Sequence, residues 1–549
     1  MTDWARHYDE GVPSQLTFTP RPLTELLAES SRRWPRRAAI WSEQGALSYE
    51  QLLAEVRKFA SALVSIGLAP GERVAQLLPN SPQALVALYG TLWAGGVATL
   101  VAPETPIALL ERQLKDARPR VGVVPSPLSL ELEEVLRRAN IESFILSSGR
   151  EYTRYLRGWL RVAARLAAGR PERRYLRWRR LMREANETFP RVDVDPAAPA
   201  VIVYTGGTTG SPRGVVLSHR ALVANTEQLS AWDARLRPGQ ERLLCALPFY
   251  HAYGLSAAVN LSMANGGTLL LPPEPTPDSI LETISRFRPS LFPGVPVLYA
   301  ALLNTPRLRS YGLSSIRACI SGAAPLPVEI QESFEKVSKG RLVEGYGLTE
   351  AGPVTHANPL EGPRRSGSIG LPLPGTEALV VDLESGEELP HGEVGELLVR
   401  GPQLMDGYFE APEATARVLR GGWLHTGDMA QRNQDGFFYL INRRGDVLRR
   451  DDRLVFPRDV EEVIYEHPAV QDAAVVGWPA AGEGPGPHPC QELRGFVCLR
   501  PQRQASGEEI RSFCERRLPA SMVPARVEIL AQLPRTRLGK LLRRELGRS

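Results

Sequence analysis

"YTGGTTGSPRGVVLSHRAL", Tyr204 to Leu222, follows directly on the apolar run Ala200-Val201-Ile202-Val203. The run predicts a buried strand. What comes next, Thr205, Gly206, Gly207, Thr208, Thr209, Gly210 and Ser211, buries little and costs backbone entropy to order. Such residues offer exposed amides and hydroxyls, the donors that surround an anion. No Lys-Ser/Thr pair follows Gly210, so the stretch is not a Walker loop. By itself it fits either a phosphate loop or a structural turn.

Working outward, short apolar runs alternate with helical patterns from about residue 22 to 440, among them "RVAQLLP", "VGVVP", "GTLLLPP" and "EALVVD". This rhythm predicts an α/β fold with parallel-rich sheets flanked by helices. At 549 residues the chain exceeds one hydrophobic core. After "GFFYLINRRGD" its character shifts to charged helices around "AAVVGWP" and "LRGFVCLRP". The expected division is a large domain over residues 1–442, a hinge at 443–446 and a small, mobile α+β domain over 447–549.

Net charge is +5, with only five lysines (Lys58, Lys115, Lys336, Lys339, Lys540) beside 61 arginines. Five scattered cysteines form no CxxC pair and suit a reducing, cytoplasmic setting. The N-terminus has no apolar core of a signal peptide. The uncharged stretch Ala84 to Pro103 is long enough for a membrane span, but Gly95-Gly96 divides it into a helix-like half and a β-branched half. A buried helix and a buried strand are expected there, and no transmembrane helix. No nucleic-acid partner is expected, and oligomeric state is not legible.

Residues 150–184 carry twelve arginines against three glutamates. Tyr152, Leu156, Trp159, Leu160, Ala163 and Leu166 recur at helical spacing opposite Arg150, Arg154, Arg157, Arg161 and Arg165. Two readings stay open: a basic amphipathic helix on an anionic membrane surface, or a solvated or docked basic hairpin.

Further motifs follow in order: "SGAAPLP" (Ser321 to Pro327), "EGYGLTEAGP" (Glu344 to Pro353), "GPQLMDGY" (Gly401 to Tyr408), "GWLHTGD" (Gly422 to Asp428), "NRRGD" (Asn442 to Asp446) and "PRTRLGKLLRREL" (Pro534 to Leu546). In this series the chain resembles the adenylate-forming superfamily, and most closely its long-chain fatty acyl-CoA synthetases, over almost its full length. The resemblance implies an acid–thiol ligase using ATP, CoA and Mg²⁺. A fatty carboxylate would attack the α-phosphate of ATP to give acyl-AMP and pyrophosphate, and the CoA thiol would then displace AMP. An ionised carboxylate is already a nucleophile, so no general base is required, and no Ser-His-Asp or Cys-His set is evident. What the first step requires is charge neutralisation between two anions.

The resemblance also implies roles. Thr205, Gly206, Gly207, Thr208, Thr209 and Gly210 would wrap the β- and γ-phosphates, beside Arg213, which stands where the family usually has lysine. Tyr346 would stack on adenine, with Gly322 and Ala323 on the opposite wall. Thr349 would touch the α-phosphate and Glu350 would hold Mg²⁺. Asp428 would accept the ribose hydroxyls, supported by Arg443. His251, in "PFYHAYGL", would sit at the acyl entrance. The apolar stretch Leu291 to Leu303 reads equally as acyl tunnel or core.

The implied hinge is Asp446. Where members show a Ser-Gly or Gly-Gly pair just after it, this chain has Asp451 and Asp452. Side chains, and negative ones, then occupy a place where backbone approaches the polyanionic CoA. Two rivals therefore accompany the main reading: an enzyme that hands acyl-AMP to a carrier-protein thiol or stops at the adenylate, and a catalytically weak, membrane-associated acyl- or nucleotide-binding protein.

The implied catalytic lysine is Lys540. In a chain this rich in arginine, keeping lysine in "RTRLGK" favours a compact ammonium over a planar guanidinium in a crowded site. Lys540→Ala is predicted to slow adenylation at least about a hundredfold, the equivalent of roughly 3 kcal/mol. Unchanged acyl-AMP formation in a single-turnover assay would remove the assignment.

Overall fold

The expected strand forms as Pro199–Tyr204 and lies inside an eight-stranded sheet. The computed structural model describes residues 3–152, 175–205, 213–443, 448–450, 453–479, 491–535 and 541–546. Across the sheet the order is Gly407–Tyr408, Gly214–Ser218, Pro199–Tyr204, Val97–Leu100, Arg73–Gln76, Val121–Pro125, Ser143–Ser147 and Tyr175–Arg177. From Pro199–Tyr204 to Tyr175–Arg177 every pairing is parallel. That explains why these strands read as unbroken apolar runs: helices cover both faces. A second group of strands, Arg242–Leu244, Thr268–Leu270 and Ala38–Ser42, is also joined in parallel. Ala318–Ser321 and Arg341–Gly347 form a further parallel pair. The parallel-rich α/β expectation holds.

The uncharged stretch resolves as foreseen. Helix Pro82–Trp93 is buried along its whole length, and Ser81 caps it by accepting from the Ala84 amide. Strand Val97–Leu100 follows, buried throughout. The break falls at Gly95, whose φ of +77 is left-handed and whose Cβ would stand 2.9 Å from Val192. Among the described residues no helix is long and apolar enough to cross a membrane.

Two compact units are present. One holds the described residues up to Glu377 together with Arg400–Leu424. The other holds Ala378–Val399 and the described residues from His425 onward. Within the second unit, strands Val470–Pro479, Gln491–Leu499 and Arg526–Ile529 make a sheet. Helices Pro457–Tyr465 and Gly507–Glu515 pack on it around Val460, Ile464, Val475, Val497 and Ile510. Ser506 and Glu509 close a reciprocal capping box that starts the second helix.

In the first unit two buried histidines are held neutral. His219 accepts the Leu23 amide at Nδ1, and burial, reinforced by Arg191, pulls it down to about 4. Burial alone pulls His356 down to about 3. Unfolded, both would take a proton near pH 6.5. Their contribution is therefore complete above that pH and is lost as pH falls toward the folded values. Denaturant melts should show each histidine costing about 2 kcal/mol of stability between pH 7 and pH 5. His219→Asn should flatten that slope, and a pH-independent midpoint over this range would contradict the assignment.

Candidate active site

The glycine-rich loop is held by a hairpin. Pro199–Tyr204 turns back as antiparallel strand Gly214–Ser218, with Tyr204 opposite Gly214 and Val203 opposite Val215. The Thr205 amide donates to the Arg213 carbonyl at 3.2 Å and closes the stem. Gly214 permits this approach, since a Cβ there would lie 2.8 Å from Ile202 and 3.3 Å from the Tyr204 ring. The Tyr204 hydroxyl anchors the outgoing strand by donating to Asp116 at 2.6 Å. Gly206, Gly207, Thr208, Thr209 and Gly210 lie outside the described residues. Thr205 and Arg213, which bracket them, come together at the stem.

The adenine motifs occupy the ends of neighbouring strands. Gly322 follows Ala318–Ser321 and donates to the Gly294 carbonyl at 3.1 Å. A Cβ on Gly322 would stand 3.1 Å from the Tyr253 ring, whose hydroxyl donates to the Ile320 carbonyl at 2.7 Å. Ala323 has φ +69, a left-handed strain for a residue with a Cβ. Tyr346 lies on Arg341–Gly347, pairs in register with His356 and meets its ring edge-on at 5.8 Å. Gly322, Ala323 and Tyr346 thus cluster at the ends of two parallel strands, Ala318–Ser321 and Arg341–Gly347.

Thr349 and Glu350 sit on a single 3-10 turn, Thr349–Ala351, just past Gly347. The Glu350 carbonyl accepts the Met405 amide at 2.9 Å, and its Oε1 accepts the Tyr408 hydroxyl at 2.9 Å. Tyr408 in turn carries the Arg213 guanidinium over its ring at 5.2 Å. Burial, then the charge of Glu350, push the Tyr408 phenol above its ordinary range against the opposing pull of Arg213, so the phenol donates. Two residues expected at the phosphates are therefore joined through one that sequence reading left unassigned. The missed signal is "DGY", whose tyrosine pairs with Val215 beside the loop stem, a contact that no local pattern reveals.

His251 precedes the short helix Ala252–Gly254 and the π-helix Leu255–Asn260. Burial lowers its proton affinity and Glu104 opposes the effect. A π-turn inside an apolar segment is a common mark of a functional site. Ser256 in this segment donates to the Gly352 carbonyl at 3.0 Å, tying it to the Thr349–Ala351 turn. The other proposed acyl segment goes to the core: Phe292, Tyr299 and Leu302 pack with Leu244, Ile284 and Phe334.

In the second unit Asp428 and Arg443 are register partners on antiparallel strands Trp423–Arg432 and Phe438–Arg443. The Asp428 amide donates to the Thr426 hydroxyl at 3.1 Å, which itself donates to the Leu397 carbonyl at 2.6 Å. Asp446, Asp451, Asp452 and Lys540 lie outside the described residues. The segment with Lys540 is bracketed by Arg535 and Leu541, which bridge each other. Arg535 holds Asp472 at 2.7 Å and Arg543 holds the buried Glu461 at 2.5 Å.

Of the basic insert, residues 153–174 lie outside the described part. The aromatic residues at its roots pack inward. The Tyr152 hydroxyl donates to Glu55 at 3.1 Å, Tyr175 stacks on Phe144 at 5.5 Å and Trp178 on Phe59 at 4.8 Å. Arg177, Arg179, Arg180 and Arg183 are exposed.

Among the described residues no three His, Cys, Asp or Glu side chains gather as a metal cage. A lone carboxylate at Glu350 suits a magnesium ion that arrives with a phosphate ligand, because Mg²⁺ is commonly held by one or two carboxylates plus phosphate oxygens and water. It does not suit a resident ion.

Gly347 sets the path into this turn, since a Cβ there would lie 1.9 Å from the Pro353 carbonyl oxygen. Gly347→Ala should therefore cost about 1–3 kcal/mol of stability or more. An unchanged denaturation midpoint would contradict the close approach.

The model for AMP-binding enzymes matches residues 27–409, and that for the AMP-binding enzyme C-terminal domain matches residues 459–540. A long-chain-fatty-acid–CoA ligase of Bacillus subtilis is 38% identical over 550 residues, covering 99% of this chain and 97% of the relative. One of Escherichia coli is 32% identical over 553 residues, with coverage of 99% and 97%. Among solved structures, ATP-bound MatB from Rhodopseudomonas palustris superposes with TM-score 0.83 at 28% identity, over 96% of this chain and 98% of that one.

Proposed function

The chain belongs to the AMP-binding enzyme family, and on that premise we propose that it activates a long- or medium-chain fatty acid as acyl-AMP and passes the acyl group to CoA. The observation that carries this reading is the linkage of Arg213, Tyr408 and Glu350 at the stem formed by Thr205 and Arg213, which joins one cation and one carboxylate. Curated relatives named long-chain-fatty-acid–CoA ligases match over almost the whole chain.

The chemistry follows from charge. Thr205 to Gly210 and Arg213 hold the triphosphate tail, which fixes the α-phosphate in line for an ionised carboxylate. Tyr346, Gly322 and Ala323 hold adenine, Asp428 and Arg443 the ribose, and Thr349 the α-phosphate. Magnesium, when bound with ATP, neutralises phosphate charge, and Glu350 is the residue that holds it. Lys540 supplies an ammonium to the developing charge. His251 and the π-helical segment after it border the acyl chain. A turn about Asp446 then exchanges Lys540 for the acceptor-side loop between the half-reactions.

Two finer points belong to the same reading. Residues 150–184 supply basic side chains to anionic lipid, a reading supported by the arginine excess of the sequence and by the exposed Arg177, Arg179, Arg180 and Arg183. Deleting 153–174 should weaken binding to anionic vesicles in a flotation assay, and unchanged flotation would end the membrane proposal. Asp451 and Asp452, two carboxylates in the sequence where the family has a Ser-Gly or Gly-Gly pair, favour a second reading in which a carrier-protein thiol takes the acyl group.

A panel of C6 to C18 acids, scored by AMP release with and without CoA and with hydroxylamine as trap, tests the proposal. AMP release that rises with CoA is expected for long or medium chains. Hydroxamate formation without a CoA response would select the carrier or adenylate reading, and no release from any acid would defeat both.

A further inference from the structure

Tyr408 touches both charged partners of the phosphate site and belongs to neither strand of the hairpin that carries the loop. Its own short strand, Gly407–Tyr408, pairs antiparallel with Gly214–Ser218, which places it opposite Val215. Four hydrogen bonds fix its segment. The Met405 amide donates to the Glu350 carbonyl at 2.9 Å, the Asp406 amide to the Val216 carbonyl at 3.0 Å and the Phe409 amide to the Gly214 carbonyl at 2.7 Å. The Tyr408 amide donates to the Thr415 hydroxyl at 2.9 Å. The side chain has little freedom left. Its hydroxyl donates to Glu350 Oε1 at 2.9 Å and its ring lies 5.2 Å from the Arg213 guanidinium carbon.

We propose that Tyr408 is a positioning residue that sets the separation and aim of Glu350 and Arg213, so that a carboxylate and a guanidinium which would otherwise collapse into an ion pair stay apart to receive a magnesium–triphosphate. The inference rests on the functional reading for its ligand, Mg-ATP. An Arg and a Glu joined through one side chain attract one another, and direct pairing would neutralise both charges. The Tyr408 side chain engages both, its phenol donating to Glu350 and its ring and phenol taking the Arg213 guanidinium. The phenol hydrogen occupies one lone-pair region of Oε1, which leaves the rest of the carboxylate for a cation. The ring face offers the guanidinium a weak cation–π seat that a phosphate oxygen readily outcompetes.

The two ends of the side chain are separable by mutation. Calorimetric titration of ATP into the full chain over a series of Mg²⁺ concentrations reads them out. In the wild type, ATP should bind more tightly as Mg²⁺ rises. Tyr408→Phe keeps the ring under Arg213 and loses only the phenol hydroxyl, so its affinity for ATP without Mg²⁺ should fall less than that of Tyr408→Leu. The Mg²⁺ needed for half of the enhancement should rise roughly tenfold, the usual worth of a hydrogen bond to a charged group. Tyr408→Leu should weaken ATP binding even without Mg²⁺. Because the phenol acts through Glu350, Tyr408→Phe combined with Glu350→Gln should match Glu350→Gln alone.

A wild-type Mg²⁺ dependence in Tyr408→Phe, or additive losses in the double variant, would overturn the inference. A cooperative thermal melt at the wild-type midpoint is the folding control for Tyr408→Phe. A chain that shows the Tyr408 dependence yet releases no AMP from any acid would sink the functional reading and leave this inference standing. A chain that releases AMP while Tyr408→Phe keeps the wild-type Mg²⁺ dependence would do the reverse.

Discussion

The ladder between Pro199–Tyr204 and Gly214–Ser218 is the constraint on which the rest depends. It begins inside the parallel sheet, where Val201, Ile202 and Val203 pair with Ala98, Thr99 and Leu100 and cannot shift without exposing apolar faces. The stem residues Thr205 and Arg213 are thereby fixed to the core. The second strand of the hairpin then serves as a template: Gly407–Tyr408 pairs onto it and reaches Glu350 through Met405 and Tyr408. Helix His219–Trp232 continues from it and sends Asn225 to exchange hydrogen bonds with both the amide and the carbonyl of Val354. Segments distant in sequence are thereby locked around one turn, Thr349–Ala351.

Functionally, that scaffold solves a problem of like charges. A carboxylate and a triphosphate repel each other, and water screens the repulsion only while it is present. Donors fixed in advance do the same work without reorganising at the moment of reaction. The described stem and strand ends are held by buried contacts such as the Tyr204 hydroxyl on Asp116 and the packing of Gly322 against Tyr253. The strained Ala323 beside them is tolerated for the same reason, since both neighbouring strand ends are already held.

The sequence disclosed whatever depends on local pattern. Unbroken apolar runs announced parallel strands, and Gly95-Gly96 marked a break that the left-handed Gly95 confirms. Thr349 and Glu350 share a turn, as their adjacency required. Tyr408 stayed hidden because its significance arises from pairing with Val215, and nothing in "DGYFE" states which strand it will join. The returning strand "GVVLS" was likewise unread, being too short to separate from the helix that follows. At the insert, Tyr152 belongs to the apolar stripe read from the sequence, yet its hydroxyl turns onto Glu55, and the neighbouring Tyr175 and Trp178 pack on Phe144 and Phe59. Periodicity reports that a face is apolar and is silent about what covers it.

The central claim is that this scaffold lets an acid anion meet the α-phosphate of ATP before any thiol takes part. Exchange of labelled pyrophosphate into ATP measures that reversible step alone. The account predicts that label enters ATP when protein, Mg²⁺ and a long- or medium-chain fatty acid are all present, without CoA and not without the acid. Absence of label in ATP for every acid from C6 to C18 would contradict it.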